Sequence, residues 1–288
     1  MPSVLERPAR DPVSGPLLEL VDGDSRVILA PQRGALVTSF RVGERELLYL
    51  DESTLSDGTK NVRGGIPVLF PSPGKLDGDH FRIGDREGSM KQHGFARNLA
   101  WSRAESGDET EASATLSLSS SPTTLQQYPW PFEATLTFQL KRARLRIALR
   151  VRNRGDVTLP FAFGLHPYFH VIDKAHATID TAATRAFDNV QKREVAFYGF
   201  DLTGPEVDLH LLDHGSSESA LHYGDGSSLQ LRASSDLSLW VVWTLAGKDF
   251  VCVEPWSSPG NALNTGERLL SIEPNQRHES WVEFEFTA

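Results

Sequence analysis

The amino-acid sequence predicts an all-β protein with many strands in large antiparallel sheets. Three observations support this: apolar residues alternate with polar ones, turn dipeptides separate these runs, and no window of helical length shows a 3.6-residue period. Twenty-three Gly and seventeen Pro spread through the 288 residues also disfavour long helices.

Leu116 and Leu118 open the pattern within SATLSLSS. Ala134, Leu136, Phe138 and Leu140 continue it in EATLTFQL, and Leu145, Ile147, Leu149 and Val151 in LRIALRV. The segment 238–245, SLWVVWTL, is continuously apolar and reads as a strand buried on both faces. Val282, Phe284 and Phe286 alternate with Glu283 and Glu285 near the C-terminus. Turns fall at Asp22-Gly23, Asp57-Gly58, Asp77-Gly78, Asn153-Arg154-Gly155 and Gly224-Asp225-Gly226. Residues 119–124, SSSPTT, read as a short polar loop, and residues 1–15 as a loose N-terminal arm. The length fits either two domains or one large sandwich, and the lack of a linker favours a single domain over 1–288.

Composition excludes several functions. Hydrophobic residues make up 39% and charged residues 23%, an ordinary globular balance. Twenty-nine basic against thirty-eight acidic residues leave a net charge of −9, which argues against nucleic-acid and anionic-membrane partners. An anionic small molecule stays open, because a few local arginines suffice for it. No apolar run approaches the ~20 residues of a membrane span, and the first fifteen residues lack a signal-peptide core, so a cytoplasmic location is expected. Cys252 is the sole cysteine, so neither an internal disulfide nor a cysteine metal cluster can form. The histidines show neither HExxH nor a clustered metal triad. The sequence sets no oligomeric state and is compatible with a monomer.

Four segments resemble neither ordinary strands nor ordinary turns. In 61–71, NVRGGIPVLFP, two glycines would allow close backbone approach to a ligand, and Arg63 offers a planar fork. A β-bulge with a surface arginine reads equally well. In 91–97, KQHGFAR, His93 and Arg97 bracket an apolar pair next to Gln92. In 164–169, GLHPYF, His166 ends an apolar run. Either histidine alone also fits a structural role. The other seven, including His210, have nothing around them that adds a mechanism. In 250–256, FVCVEPW, Glu254 ends a strongly apolar stretch, where a carboxylate is costly unless paired or used. Partly desolvated, it would have a raised pKa and could serve as a base near neutrality, although a rim salt bridge is the alternative. Asp208, in 206–209, passes alone as a strand-edge charge.

Together, NVRGGIPVLFP, QHGFARNLAW (92–101), GLHPYF, EVD (206–208) and VCVEP (251–255) resemble the galactose mutarotase-like superfamily of aldose 1-epimerases, most closely the hexose-6-phosphate 1-epimerase branch. The resemblance spans positions 61 to 255. It implies a β-supersandwich that interconverts the α and β anomers of an aldose, with no metal or organic cofactor. It further implies that Glu254 is the general base, that His166 is the general acid, and that His93 hydrogen-bonds near the ring oxygen. Asp208 would hold sugar hydroxyls, Gln92 would bind substrate, and Arg63 and Arg97 would grip a phosphate. Trp256, Tyr168 or Phe95 would supply an apolar wall, each with core packing as the alternative. Three other readings compete: an epimerase for unphosphorylated galactose or glucose, a non-catalytic sugar-binding module, and a glycoside hydrolase. The last would use Asp208 and Glu254 and leave the His motifs unexplained.

Overall fold

Alternation builds the largest sheets. The computed structural model describes residues 1–107 and 110–288. Phe132–Lys141 pairs antiparallel with Arg144–Asn153, which pairs with Arg277–Thr287. Leu136 lies opposite Leu149, and Leu145 opposite Phe284, so apolar side chains meet on one face while Arg146 and Glu283 meet on the other. Ala112–Ser119 and Ser102–Gly107 extend this sheet on one side. Ser228–Ala233, Glu218–His222 and Thr178–Ile179 extend it on the other, giving eight strands.

A second eight-stranded sheet packs beside it. Its path runs Arg193–Ala196, Arg185–Asp188, Glu206–Leu211, Leu239–Leu245, Phe250–Trp256, Gly164–Leu165, Val68–Leu69, with Tyr168–His170 also paired to Phe250–Trp256. One face joins the core through Leu211, Trp240, Val242, Val251 and Val253. The other presents Leu239, Val241, Cys252, Glu254 and Trp256. SLWVVWTL is therefore apolar throughout because both of its faces are covered, except that Trp243 and Leu245 become half-buried toward its end. A five-stranded sheet of residues 3–46 contributes Leu20, Val27, Leu29 and Phe40 to the same core. Among the described residues, no helix is long and apolar enough to cross a membrane.

Two local expectations are corrected. Ser3–Arg7, expected in a loose arm, is a strand paired with Leu17–Asp22. Arg7 Nε donates to the buried carboxylate of Glu19 at 2.6 Å, and Val4 packs on the core, so backbone pairing, charge and burial all hold the segment. Residues 119–124, expected as a loop, run into the helix Pro122–Gln127. Ser121 caps it: Thr124 N donates to Ser121 Oγ at 3.2 Å, and Ser121 N donates to Thr124 Oγ1 at 2.7 Å. Pro122 at the first helical position completes the start signal.

Candidate active site

The open face of the second sheet floors a cavity of about 730 Å³. Arg63, Gln92, His93, Arg97, His166, Asp208 and Glu254 all line it, so the structure brings together all seven residues singled out from the sequence. Pairing explains the convergence. His210 lies opposite Val241, and Val241 opposite Glu254, so these three form one row across the floor. Asp208 lies opposite Trp243, and Trp243 opposite Cys252, in the next row. Strands lie about 4.8 Å apart, so His210 and Glu254 stand roughly 10 Å apart across Val241, room for one pyranose ring.

Hydrogen bonds fix the segment that carries His166. His166 N donates to the Pro67 carbonyl at 3.0 Å, and Tyr168 N to the Gly65 carbonyl at 2.9 Å. Gly164 has no side chain because Trp256 lies there: a Cβ would sit 2.6 Å from the indole Cδ1. The imidazole of His166 stacks on Tyr168, with centroids 4.7 Å apart and 12° between planes. Its Nε2 is 3.4 Å from Glu254 Oε1, and its Nδ1 is buried with no partner on another residue.

Glu254 is 1% exposed, and Trp256 Nε1 donates to its Oε2 at 3.1 Å. Burial, reinforced by the nearby Asp208 charge, pushes its carboxyl well above the usual range. Burial pushes His166 the opposite way, with His93 and Arg97 adding to the effect. The two groups thus have proton affinities driven toward each other. Cys252 completes the sole described cluster of potential metal ligands, with His166 and Glu254 within 4.8 Å. Burial and the Glu254 charge keep its thiol protonated, so a metal would have to displace protons that the site holds. This donor set suits proton transfer.

His93 occupies a left-handed turn, with φ of 74° followed by Gly94 at 68°. A Cβ on Gly94 would meet the Phe70 carbonyl oxygen at 2.2 Å, so glycine lets the turn press against that backbone. His93 Nδ1–H donates to the Pro73 carbonyl, which leaves Nε2 as the acceptor of the neutral ring. Burial and the Arg97 charge outweigh that hydrogen bond and depress His93 to about 3. Near pH 7 the ring is therefore neutral and accepts a proton bond at Nε2, whereas the donor role implied by the resemblance would need an imidazolium.

Arg97 is half-buried, and its Nη2 donates to the Gln92 carbonyl at 3.2 Å. Its Nε is buried without a partner, and no described carboxylate lies within the 4.0 Å of an ion pair. Arg63 is exposed and equally free of carboxylate partners; both arginines act electrostatically on the Tyr168 hydroxyl. The glycines after Arg63 do not open the backbone to a ligand as expected. A Cβ on Gly64 would strike Leu50 Cα at 2.5 Å, and one on Gly65 the Val37 carbonyl at 2.2 Å, so they let the chain pack on itself. Asp208 accepts from Asn189 Nδ2 at 2.7 Å and faces His210 Nε2 at 3.6 Å. Burial raises its pKa, but these partners outweigh it and hold the carboxyl below its usual range.

Sequence reasoning missed His210, Lys75, Asn189 and Trp243, all of which line the cavity. His210 had one available signal: it stands two residues after Asp208 in a strand and so shares its face. Of the three suggested aromatics, Trp256 and Tyr168 line the cavity, while Phe95 packs in the core against Phe70 and Phe132.

Comparison with known proteins places the fold in a family. The family model described as aldose 1-epimerase matches residues 16–285. The solved structure of Slr1438 from Synechocystis sp. PCC 6803 is 36% identical, covers 94% of this chain and 95% of its own, and superposes with a TM-score of 0.92. Galactose 1-epimerase from Lactobacillus acidophilus shares the fold, with a TM-score of 0.77 at 13% identity over 100% of this chain and 98% of its own. A protein of Cenchrus ciliaris, provisionally named a glucose-6-phosphate 1-epimerase, is 37% identical over 70 residues, which is 24% of this chain and 18% of that relative. With the family model spanning most of its length and the Synechocystis protein matching nearly end to end, this chain belongs to the aldose 1-epimerase family and is an isomerase.

Proposed function

We propose that the protein interconverts the α and β anomers of a hexose 6-phosphate, with Glu254 and His166 exchanging protons with the sugar. The observation that carries the chemistry is the buried pair itself: a carboxylate pushed up and an imidazole pushed down, 3.4 Å apart. Such a pair holds one ionisable proton between two sites. Burial favours that proton on Glu254, so the reactive form is the ion pair with the proton moved to His166: Glu254 as carboxylate takes the proton of the anomeric hydroxyl while protonated His166 gives its proton to the ring oxygen. The C1–ring-oxygen bond breaks, leaving an open-chain aldehyde, a protonated Glu254 and a neutral His166. Rotation about C1–C2 presents the other face of the carbonyl. Closure reverses both transfers, so each turnover restores the starting pair without an outside acid or base. Neutral His93 accepts from a sugar hydroxyl at Nε2, Gln92 and Asp208 hold further hydroxyls, and Tyr168 and Trp256 face the ring.

Support for a phosphate comes from Arg63 and Arg97, cations on the cavity wall with no carboxylate partner among the described residues. The short match to the Cenchrus relative points the same way. A free aldose is the second reading, favoured by the cavity's own charge. Glu194, Glu206, Asp208, Glu254 and Glu267 line it against Arg63, Lys75 and Arg97. Saturation-transfer NMR of anomer exchange, run with glucose 6-phosphate and with glucose, decides between them. Faster turnover of the phosphate ester at equal concentration, inhibited by inorganic phosphate, is expected. Equal turnover without phosphate inhibition selects the free sugar. No exchange with any aldose or aldose phosphate would refute both.

A further inference from the structure

We propose that Trp256 is a positioning residue for the proton transfer: its indole N–H fixes one oxygen of Glu254 and leaves the other to face His166 and the sugar. This rests on the reading of Glu254 as the base. Glu254 and Trp256 stand two residues apart on one strand and so share the cavity face. Trp256 Nε1 donates to Oε2 at 3.1 Å, and Oε1 faces His166 Nε2 at 3.4 Å. The carboxylate plane is therefore set by a donor that cannot accept or surrender a proton in this pH range.

The indole itself has little freedom. It is 3% exposed and packs with Leu69, Leu239 and Val241, and the missing Cβ of Gly164 leaves the space that Cδ1 occupies. His93 and His210 meet it edge-on, with centroids 5.9 and 5.3 Å away. Two other buried tryptophans give their N–H groups to backbone carbonyls: Trp101 to Ala96 and Trp240 to Ser216. A packing tryptophan is satisfied that way. Trp256 instead aims its N–H at a buried carboxylate, where the bond stabilises the charged form against burial. The other ionisable groups around Glu254 are His166 and Tyr168 on the Gly164–Phe169 segment, Asp208 on Glu206–Leu211, Arg97 on the 92–97 turn and Cys252 on its own strand. Asp208 and burial oppose the charge, while Arg97 and the indole favour it.

The test is Trp256→Phe, which keeps an aromatic ring and removes the donor. Loss of a hydrogen bond to a charged group corresponds to about one pH unit, so the acidic limb of the kcat–pH profile should move up by about that much. In the acidic limb kcat should fall about tenfold, with KM changed less than about twofold. Leu69→Ala, in the same cluster but outside the cavity, should lower Tm without moving the limb. An unmoved limb in Trp256→Phe, or an equal shift in Leu69→Ala, overturns the inference. If Trp256→Phe does not fold, Gly164→Ala, whose Cβ pushes on indole Cδ1, carries the same expectation and the same refutation. Glu254→Gln in the same assay separates the two levels: an active Glu254→Gln refutes the base, while an inactive one with an unmoved Trp256→Phe limb refutes the role of Trp256 alone.

Discussion

Glu254→Gln should make the protein slower and, above neutral pH, more stable. Glutamine keeps the shape of the side chain and an acceptor oxygen for Trp256 Nε1, and it removes the titrating proton. Loss of a general base costs on the order of 10²–10⁴-fold in rate. The stability effect follows from burial. The folded carboxyl is held well above the ordinary 4.5, so the native state binds its proton more tightly than the unfolded chain does. Between the unfolded and folded values the native state carries more protons, and stability falls as pH rises through that window. Each unit of elevation costs about 1.4 kcal/mol once pH exceeds the folded value. For a domain of this size, 1 kcal/mol moves Tm by roughly 2–4 °C. Calorimetry at pH 4 and pH 8 should therefore show the variant matching the parent at pH 4 and melting several degrees higher at pH 8. Anomer exchange by NMR at pH 7.5 gives the rate. A variant with parental exchange, or one that melts lower than the parent at pH 8, would refute a desolvated base at this position.

Arg97→Ala should raise KM for glucose 6-phosphate by roughly ten- to a hundredfold, the worth of a charged hydrogen bond, and leave glucose little changed; equal losses would make Arg97 structural. Gly94→Ala forces a Cβ to within 2.2 Å of the Phe70 carbonyl at φ of 68°, so it should cost about 2 kcal/mol or more and displace His93. A Tm and kcat equal to the parent's would contradict that. His93 should show no imidazole titration by NMR between pH 5 and 8, because its folded value lies near 3. Its neutral form stabilises the fold above pH 6.5, a contribution lost as pH falls toward 3; a midpoint near 6.5 would restore the donor role.

The strands were legible because burial in this protein has a period of two, and the long pairs around Leu136, Leu149 and Phe284 obey it strictly. Glu254 was legible for the same reason in reverse: a carboxylate in the register of Cys252 and Trp256 breaks an apolar run that nothing local explains. The motifs around His93 and His166 stood out by resemblance, since the contacts that organise them are distant in sequence. Pro73, which sets the His93 tautomer, and Trp256, which occupies the place of a Gly164 side chain, lie 20 and 92 residues from the groups they position. His210 was passed over because EVDLHL looks like any half-buried strand until its neighbours place one face over the cavity. The helix at Pro122–Gln127 was missed although Ser121 and Pro122 signal it, because six residues are too short for a periodic pattern to register.

The same pairing that builds the second sheet also fixes the chemistry. Glu254 faces the cavity only while Val241 stands opposite it and Trp256 stands opposite both Leu239 and Gly164. Gly164 in turn pairs with Leu69, and His166 N reaches the Pro67 carbonyl, so His166 is held in register with Glu254 through one chain of backbone bonds. A slip of one residue in Phe250–Trp256 would turn Glu254 into the core and set Val253 against His166. Val251 and Val253 on the opposite face oppose that slip, because each would have to leave the core, where they cluster with Val242, for the cavity. The unbroken apolar run before Glu254 therefore reaches into the cavity: side chains on the core face keep Glu254 3.4 Å from His166.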